Sequence, residues 1–381
     1  MAQAQSTSRI PELDGIRGLA ILSVLCFHYI SIQGQAPASS FVDRLQRLVI
    51  LGGTGVDLFF VLSGFLIGGI LLDVKDSPRY FRAFYARRFF RIIPVYFAWI
   101  TVYILVVRFA GKYLLALSHS GNTPPLGHLV YNHYLFLQNF YLDRFHNLAG
   151  AWFDHTWSLA VEEQFYLVTP LLVYFLPRKP YKIFLFGVIL LEPVLRIVLL
   201  KTGILSAGLI GQLTFTRADV LAVGALAALY WREESARNWL QSNSRTIYVT
   251  LFVLFLGFSA FWMWSPRQRS FAFESVGFSV VAFFYVTLLL AALCIPGGPV
   301  SSVARWSMLR KIGAVSYCMY LVHIVVNVAC HAVFLRATPK ISTPLGAVVT
   351  LFASLLTYVI ALISWHIFEE PLLKRGHAFR Y

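Results

Sequence analysis

The chain has 381 residues, of which 58% are apolar or aromatic and only 13% charged, about half the roughly 25% charged content usual for a soluble domain. At a mean hydropathy of +0.68, a water-facing globule would leave large apolar patches exposed, so the composition excludes a soluble protein and implies an all-α polytopic one solvated partly by the lipid bilayer. The net charge of +15 accompanies no nucleic-acid motif, so nucleic acid is excluded as a partner and basic loops at lipid headgroups account for the charge.

A bilayer span needs about 20 mostly apolar residues. That criterion predicts a single transmembrane domain over 1–381, a bundle of about ten helices near 13–33, 54–73, 89–109, 157–176, 182–201, 209–230, 246–264, 275–295, 312–335 and 346–368. The densest basic cluster, Lys75, Arg79, Arg82, Arg87, Arg88 and Arg91, lies where the second span gives way to the third. By the positive-inside rule this predicts a multi-pass protein of the cytoplasmic (inner) membrane with both termini in the cytoplasm.

The first span opens Leu13-Asp14-Gly15-Ile16-Arg17-Gly18 and ends Phe27-His28-Tyr29. Arg9 and Arg17 before an apolar run, with Ala36-Pro37-Ala38 after it, imitate a signal peptide. Cleavage there would discard the most informative ionisable residues, so the segment is read as a retained span. Arg17 and His28 are almost three helical turns apart, on one face and separated by about 16 Å. Asp14 is placed to pair with Arg17 at i,i+3. Read alone, His28 is better explained as a hydrogen-bonded interior histidine.

The second span reads Gly55-Val56-Asp57-Leu58-Phe59-Phe60-Val61-Leu62-Ser63-Gly64-Phe65, small residues for close helix contact beside a buried carboxylate. The third begins with Arg87-Arg88-Phe89-Phe90-Arg91-Ile92-Ile93-Pro94, either a positive-inside anchor or an anionic-ligand site. The extracytoplasmic connector 110–156 carries turn-forming sequence over 118–125. Its aromatics Tyr131, Tyr134, Phe136, Phe140 and Tyr141 suit an interfacial segment. It also holds five of the ten histidines. His119, His128, His133, His146 and His155 have no ligand spacing, so they read as solvated loop residues and no metal site is expected.

The fourth span starts Trp157-Ser158-Leu159 and places Glu162-Glu163-Gln164-Phe165-Tyr166 near its outer end. The sixth carries Arg217-Ala218-Asp219, the ninth Ser316-Tyr317 with Tyr320-Leu321 and His323, and Glu369-Glu370-Pro371 close the tenth. Cys26, Cys294, Cys318 and Cys330 sit in apolar stretches without CxxC spacing and read as core packing. Intramembrane charges cost roughly 2.5–3.5 kcal/mol each on the insertion scale, so each needs a partner or a function. An inner cationic mouth of Arg17, Arg87, Arg88 and Arg91 suits a polyphosphorylated ligand. An outer histidine flanked by carboxylates suits proton transfer near neutral pH. Together they describe a group-transfer enzyme.

In their order, these motifs resemble those of membrane-bound acyltransferase family 3, the bacterial O-acyltransferases of surface polysaccharides and some antibiotics, over nearly the whole chain. The resemblance implies a ten-helix core and transfer of an acyl group, usually acetyl, from cytoplasmic acyl-CoA to a hydroxyl of a carbohydrate or glycosylated acceptor outside. His28 and Arg17 match the family's catalytic Arg-x10-His pair. On that implication, Arg17, Arg87, Arg88 and Arg91 hold the CoA phosphates, and the donor is acetyl-CoA with no permanently bound cofactor. His28 acts as general base or carries the acyl group covalently. Glu162 or Glu163 orients the imidazole or binds the acceptor, and Trp157 and Tyr166 offer surfaces to a sugar ring. Asp57, Ser63, Ser158 and Asp219 complete the expected substrate site. Arg217 is read either as an oxyanion stabiliser or as the ion-pair partner of Asp219 or Asp57. Some family members add an extracytoplasmic hydrolase-like domain. Here the last span ends close to Tyr381, so either the bundle suffices or a separate extracytoplasmic partner completes transfer. The competing readings are a proton-coupled secondary transporter, of which no related halves are visible, and a glycan-handling membrane protein that transfers nothing.

Overall fold

A computed structural model describes residues 10–32, 40–117, 126–140, 152–264 and 270–381, and every regular element among them is helical. The predicted turn at 118–125, His119, Tyr141, His146 and Ala36-Pro37-Ala38 lie outside the described residues.

Pro11 starts α1 (Pro11–Cys26), with Glu12 and Asp14 in its first turn, where the fixed φ of proline and the positive end of the helix dipole favour them. The helix widens into a π turn over Phe27–Ser31. Next come α2 (Phe41–Val49), α3 (Gly55–Asp73), α4 (Tyr80–Leu117) and α5 (Leu126–Tyr134). A 3-10 turn at Asp154–Thr156 leads into α6 (Trp157–Phe175), followed by α7 (Arg178–Thr202), α8 (Ala218–Trp231), α9 (Glu234–Ser242) and α10 (Ser244–Trp264). The remainder is α11 (Phe278–Cys294), α12 (Pro299–Ala304), α13 (Ser307–Ala314), α14 (Ser316–Leu335), α15 (Pro344–Ser364) and α16 (Glu370–His377).

Glycines set the tightest contacts. A Cβ on Gly15 would fall 1.7 Å from the Ala304 carbonyl oxygen, and one on Gly18 would fall 2.1 Å from that of Leu309. The glycines of the first-span motif thus seat α1 directly on α12 and α13. At the centre, a Cβ on Gly64 of α3 would fall 2.0 Å from the Leu221 carbonyl oxygen and one on Gly224 of α8 would fall 2.1 Å from that of Val61, a reciprocal small-residue crossing of the kind that brings helix backbones together in lipid.

Among the described residues, seven helical stretches are long and apolar enough to cross a membrane, or eight if α9 and α10, bent by 77°, form one span. The protein is an all-α, multi-pass membrane protein. The other two expected spans exist as helices but fall short: α6 carries Glu162, Glu163 and Gln164, and α8 has only 14 residues. The third span, expected from 89, begins at Tyr80 within a 38-residue helix. The arginines lower the hydropathy ahead of 89, whereas Phe81, Phe84 and Tyr85 keep the helix packed through them.

Candidate active site

Residues from α1, α3, α4, α6, α14, α16 and the C-terminal segment enclose a cavity of about 360 Å³. It runs along α3 from Val56 to Ile70, about 21 Å of helix. At one end stand Ile70, Arg87, His377 and Tyr381, and at the other Val56, Phe59, Ser158 and Tyr320.

All four arginines expected to hold phosphates line this one cavity. Arg17 pairs with Asp14 at 3.3 Å, the expected i,i+3 contact. Arg87 donates from Nε to the Phe379 carbonyl at 2.8 Å and lies 4.5 Å over the Tyr381 ring. Burial raises the Tyr381 phenol above its ordinary value, so the ring stays neutral beside Arg87. Arg88 sits 5.8 Å from the Tyr166 ring centroid, and its Nε is buried with no hydrogen-bond partner among the described residues. Arg91 is in electrostatic reach of Glu162 and of Glu369, which accepts from Ser364 Oγ at 2.9 Å. Of the expected donor and acceptor groups, Ser63, Ser158, Glu162 and Tyr166 line the same cavity, and Ser63 hydrogen-bonds Tyr166.

Among the described residues the cavity wall omits His28, Glu163, Asp57, Trp157, Arg217 and Asp219. Asp57 and Arg217 form a buried ion pair between α3 and the start of α8. Asp219 pairs instead with Arg196 of α7 at 2.9 Å and accepts from Ser279 at 2.5 Å. Arg196, fully buried and also bonded to the Thr216 and Ser275 carbonyls, had no signal beyond a single charge in an apolar run. Glu163 Oε1 is buried beside Arg88 and Tyr317.

His28 lies beyond the Tyr320 end. Its ring centroid is 4.9 Å from that of His323 on α14, which is 5.0 Å from that of His155. Tyr320 belongs to both regions. It lines the cavity, donates to the His155 carbonyl at 2.7 Å, hydrogen-bonds Ser158 at 2.6 Å and packs edge-on against the His155 ring at 5.2 Å. His155 and His133 correct the expectation of solvated loop histidines. Both are buried, His155 because the 3-10 turn before α6 folds it inward and His133 because its ring packs 4.2 Å from that of Phe153. Sequence reasoning noted Tyr320 and His323 in one motif without giving either a role, and nothing marked His377 or Tyr381 as cavity residues.

The acyltransferase domain family profile matches residues 10–364. The peptidoglycan O-acetyltransferase OatA of Listeria monocytogenes is 29% identical over 97% of this chain and 57% of its own length. The O-acetyltransferase OatA of Staphylococcus aureus is 29% identical over 96% of this chain and 58% of its own. The chain thus spans little more than half the length of these curated relatives. No solved structure matches it.

Proposed function

The chain belongs to the acyltransferase domain family, and from that premise we propose that it is a membrane O-acetyltransferase moving an acetyl group from acetyl-CoA to a hydroxyl of a cell-envelope glycan. Peptidoglycan, the acceptor named for the Listeria relative, is the first candidate. The observation that carries the reading is the convergence of Arg17, Arg87, Arg88 and Arg91 on one cavity whose opposite end abuts the His28 cluster. Both termini face the cytoplasm of the inner membrane in this reading, so the arginine end opens to the compartment that holds CoA.

Guanidinium forks bind phosphate oxygens bidentately, and the roughly 21 Å of helix along the cavity gives the pantetheine arm a path toward Tyr320. His28 then takes the proton of the acceptor hydroxyl. As the hydroxyl oxygen bonds to the thioester carbonyl carbon, the carbon–sulfur bond breaks and the departing CoA thiolate receives that proton from His28. Movement of Tyr320 from the wall between cavity and histidines opens this path. Glu162, held among Arg17, Arg88 and Arg91, orders the arginines for phosphate.

The test compares base-labile acetyl esters on envelope glycans of cells carrying the wild-type chain, His28→Ala, or no gene. One ester present only with the wild type supports the reading. An unchanged ester profile, with a changed solute uptake, would replace it with the transporter.

A further inference from the structure

Three hydrogen bonds fix the protonation of the histidine pair. His323 Nδ1 lies 2.7 Å from the Tyr320 carbonyl oxygen. A carbonyl only accepts, so Nδ1 carries the hydrogen and Nε2 of the neutral ring is an acceptor. That Nε2 stands 3.2 Å from Nδ1 of His28, which also lies 3.0 Å from the Val24 carbonyl oxygen. These two neighbours of His28 Nδ1, the His323 Nε2 lone pair and the Val24 carbonyl, are acceptors. The hydrogen of His28 therefore sits on Nδ1, and its lone pair is on Nε2.

The surroundings hold this arrangement in place. Tyr29, the residue after His28 in the π turn, donates its hydroxyl to the His323 carbonyl at 2.7 Å and hydrogen-bonds Thr357 at 2.9 Å. Tyr29 is buried and His323 fully so. Neighbouring residues of the π turn thus contact the ring and the backbone of the same residue on α14. His155 packs its ring edge-on against His323 at 5.0 Å.

We propose that His323 is a positioning residue for the acetyl transfer: by accepting from His28 Nδ1 it holds the imidazole in the tautomer and orientation that leave Nε2 as the base. When Nε2 takes the acceptor's proton, the positive charge on His28 is shared through the same hydrogen bond with the neutral His323 ring. This inference rests on the reading of His28 as the base.

The test separates an acceptor from a space-filler. His323→Gln keeps an acceptor oxygen near the Nε2 position and loses the ring, whereas His323→Phe keeps the ring and loses the acceptor. With the full chain in nanodiscs, acetyl-CoA as donor and solubilised peptidoglycan fragments as acceptor, release of free CoA gives kcat and KM. The expected result is a kcat for His323→Phe lowered on the order of 10²-fold, a kcat for His323→Gln within about tenfold of wild type, and an unchanged KM for acetyl-CoA in both. A His323→Phe enzyme as fast as wild type, or one faster than His323→Gln, overturns the proposal. If His28→Ala keeps full activity, the base reading fails first. If His28→Ala is inactive while His323→Phe is normal, only the positioning role fails. Should both His323 variants unfold, ¹⁵N-histidine spectra of the wild type decide: a protonated Nδ1 on His28 supports the proposal and a protonated Nε2 overturns it.

Discussion

Replacing Asp57 by Asn is expected to destabilise the bundle severely without touching the donor site. Arg217 is 1% exposed, and its Nε and Nη1 have no hydrogen-bond partner among the described residues, so Asp57 supplies its one ionic hydrogen bond there. Removing one partner of a buried pair leaves the other charge uncompensated, at about 3–5 kcal/mol. Two features hold the loss near the lower end: the Phe278 ring lies 3.7 Å from the Arg217 guanidinium, and Asp219 is close enough to act electrostatically on the same group of residues. About 3 kcal/mol in a chain of this size lowers the unfolding midpoint by roughly 4 °C. The double variant Asp57→Leu/Arg217→Leu buries no charge and should recover much of that loss, because the pair's coupling vanishes with both partners. The assay is thermal unfolding of purified protein in detergent, followed by acetyl-CoA binding at a temperature where every variant is folded. Asp57→Asn as stable as wild type, or a double variant less stable than either single one, would refute the reasoning. Loss of acetyl-CoA binding by a folded double variant would return this pair to the substrate site.

Three further outcomes follow from the same geometry. Gly15→Ala should prevent α1 from seating, since its Cβ would fall 1.7 Å from a backbone carbonyl, whereas Gly257→Ala, with nothing within 4 Å, should be neutral or stabilising by a few tenths to about 1 kcal/mol; yields and unfolding midpoints of the two variants check this. Arg91→Ala should weaken acetyl-CoA binding at least tenfold by removing a phosphate fork that faces two carboxylates, read by calorimetry, and unaltered affinity would move the phosphates elsewhere. Tyr320→Phe deletes the hydroxyl that bridges Ser158 and the His155 carbonyl. It should lower kcat several-fold while leaving the KM for acetyl-CoA unchanged.

The sequence made the charged and small residues legible because a membrane leaves them few innocent places. Arg17, Arg87, Arg88 and Arg91 were grouped by charge and side of the membrane, and the structure brings them to one cavity. The glycines beside Arg17 were visible, but not what they touch, since the partners Ala304 and Leu309 lie far along the chain. His155 was hidden for a different reason. It belongs to a polar connector by composition, and only the turn Asp154–Thr156 carries it inward to His323. The pairing of Asp219 with Arg196 rather than with Arg217, two residues away, was equally invisible. Arg217 stands at the cap, in a non-helical conformation, while Asp219 is already in the first turn of the helix, so sequence proximity misleads about which charges meet.

The length of α4 has a mechanical consequence. Its 38 residues measure about 57 Å, against a hydrocarbon layer of about 30 Å. The surplus cannot all be hidden by tilt, so part of the helix stands out of the acyl chains like a mast stepped through a deck. Pro94, three residues after Arg91, removes a rung of hydrogen bonding where the arginine-bearing end of the helix meets its apolar remainder. Lipid chain length then sets how far the mast protrudes, and with it the depth at which the guanidinium cluster meets the headgroups. Reconstitution in bilayers of graded thickness should therefore change donor affinity through no contact with the donor at all, making the surrounding lipid a tuning element of the arginine cavity.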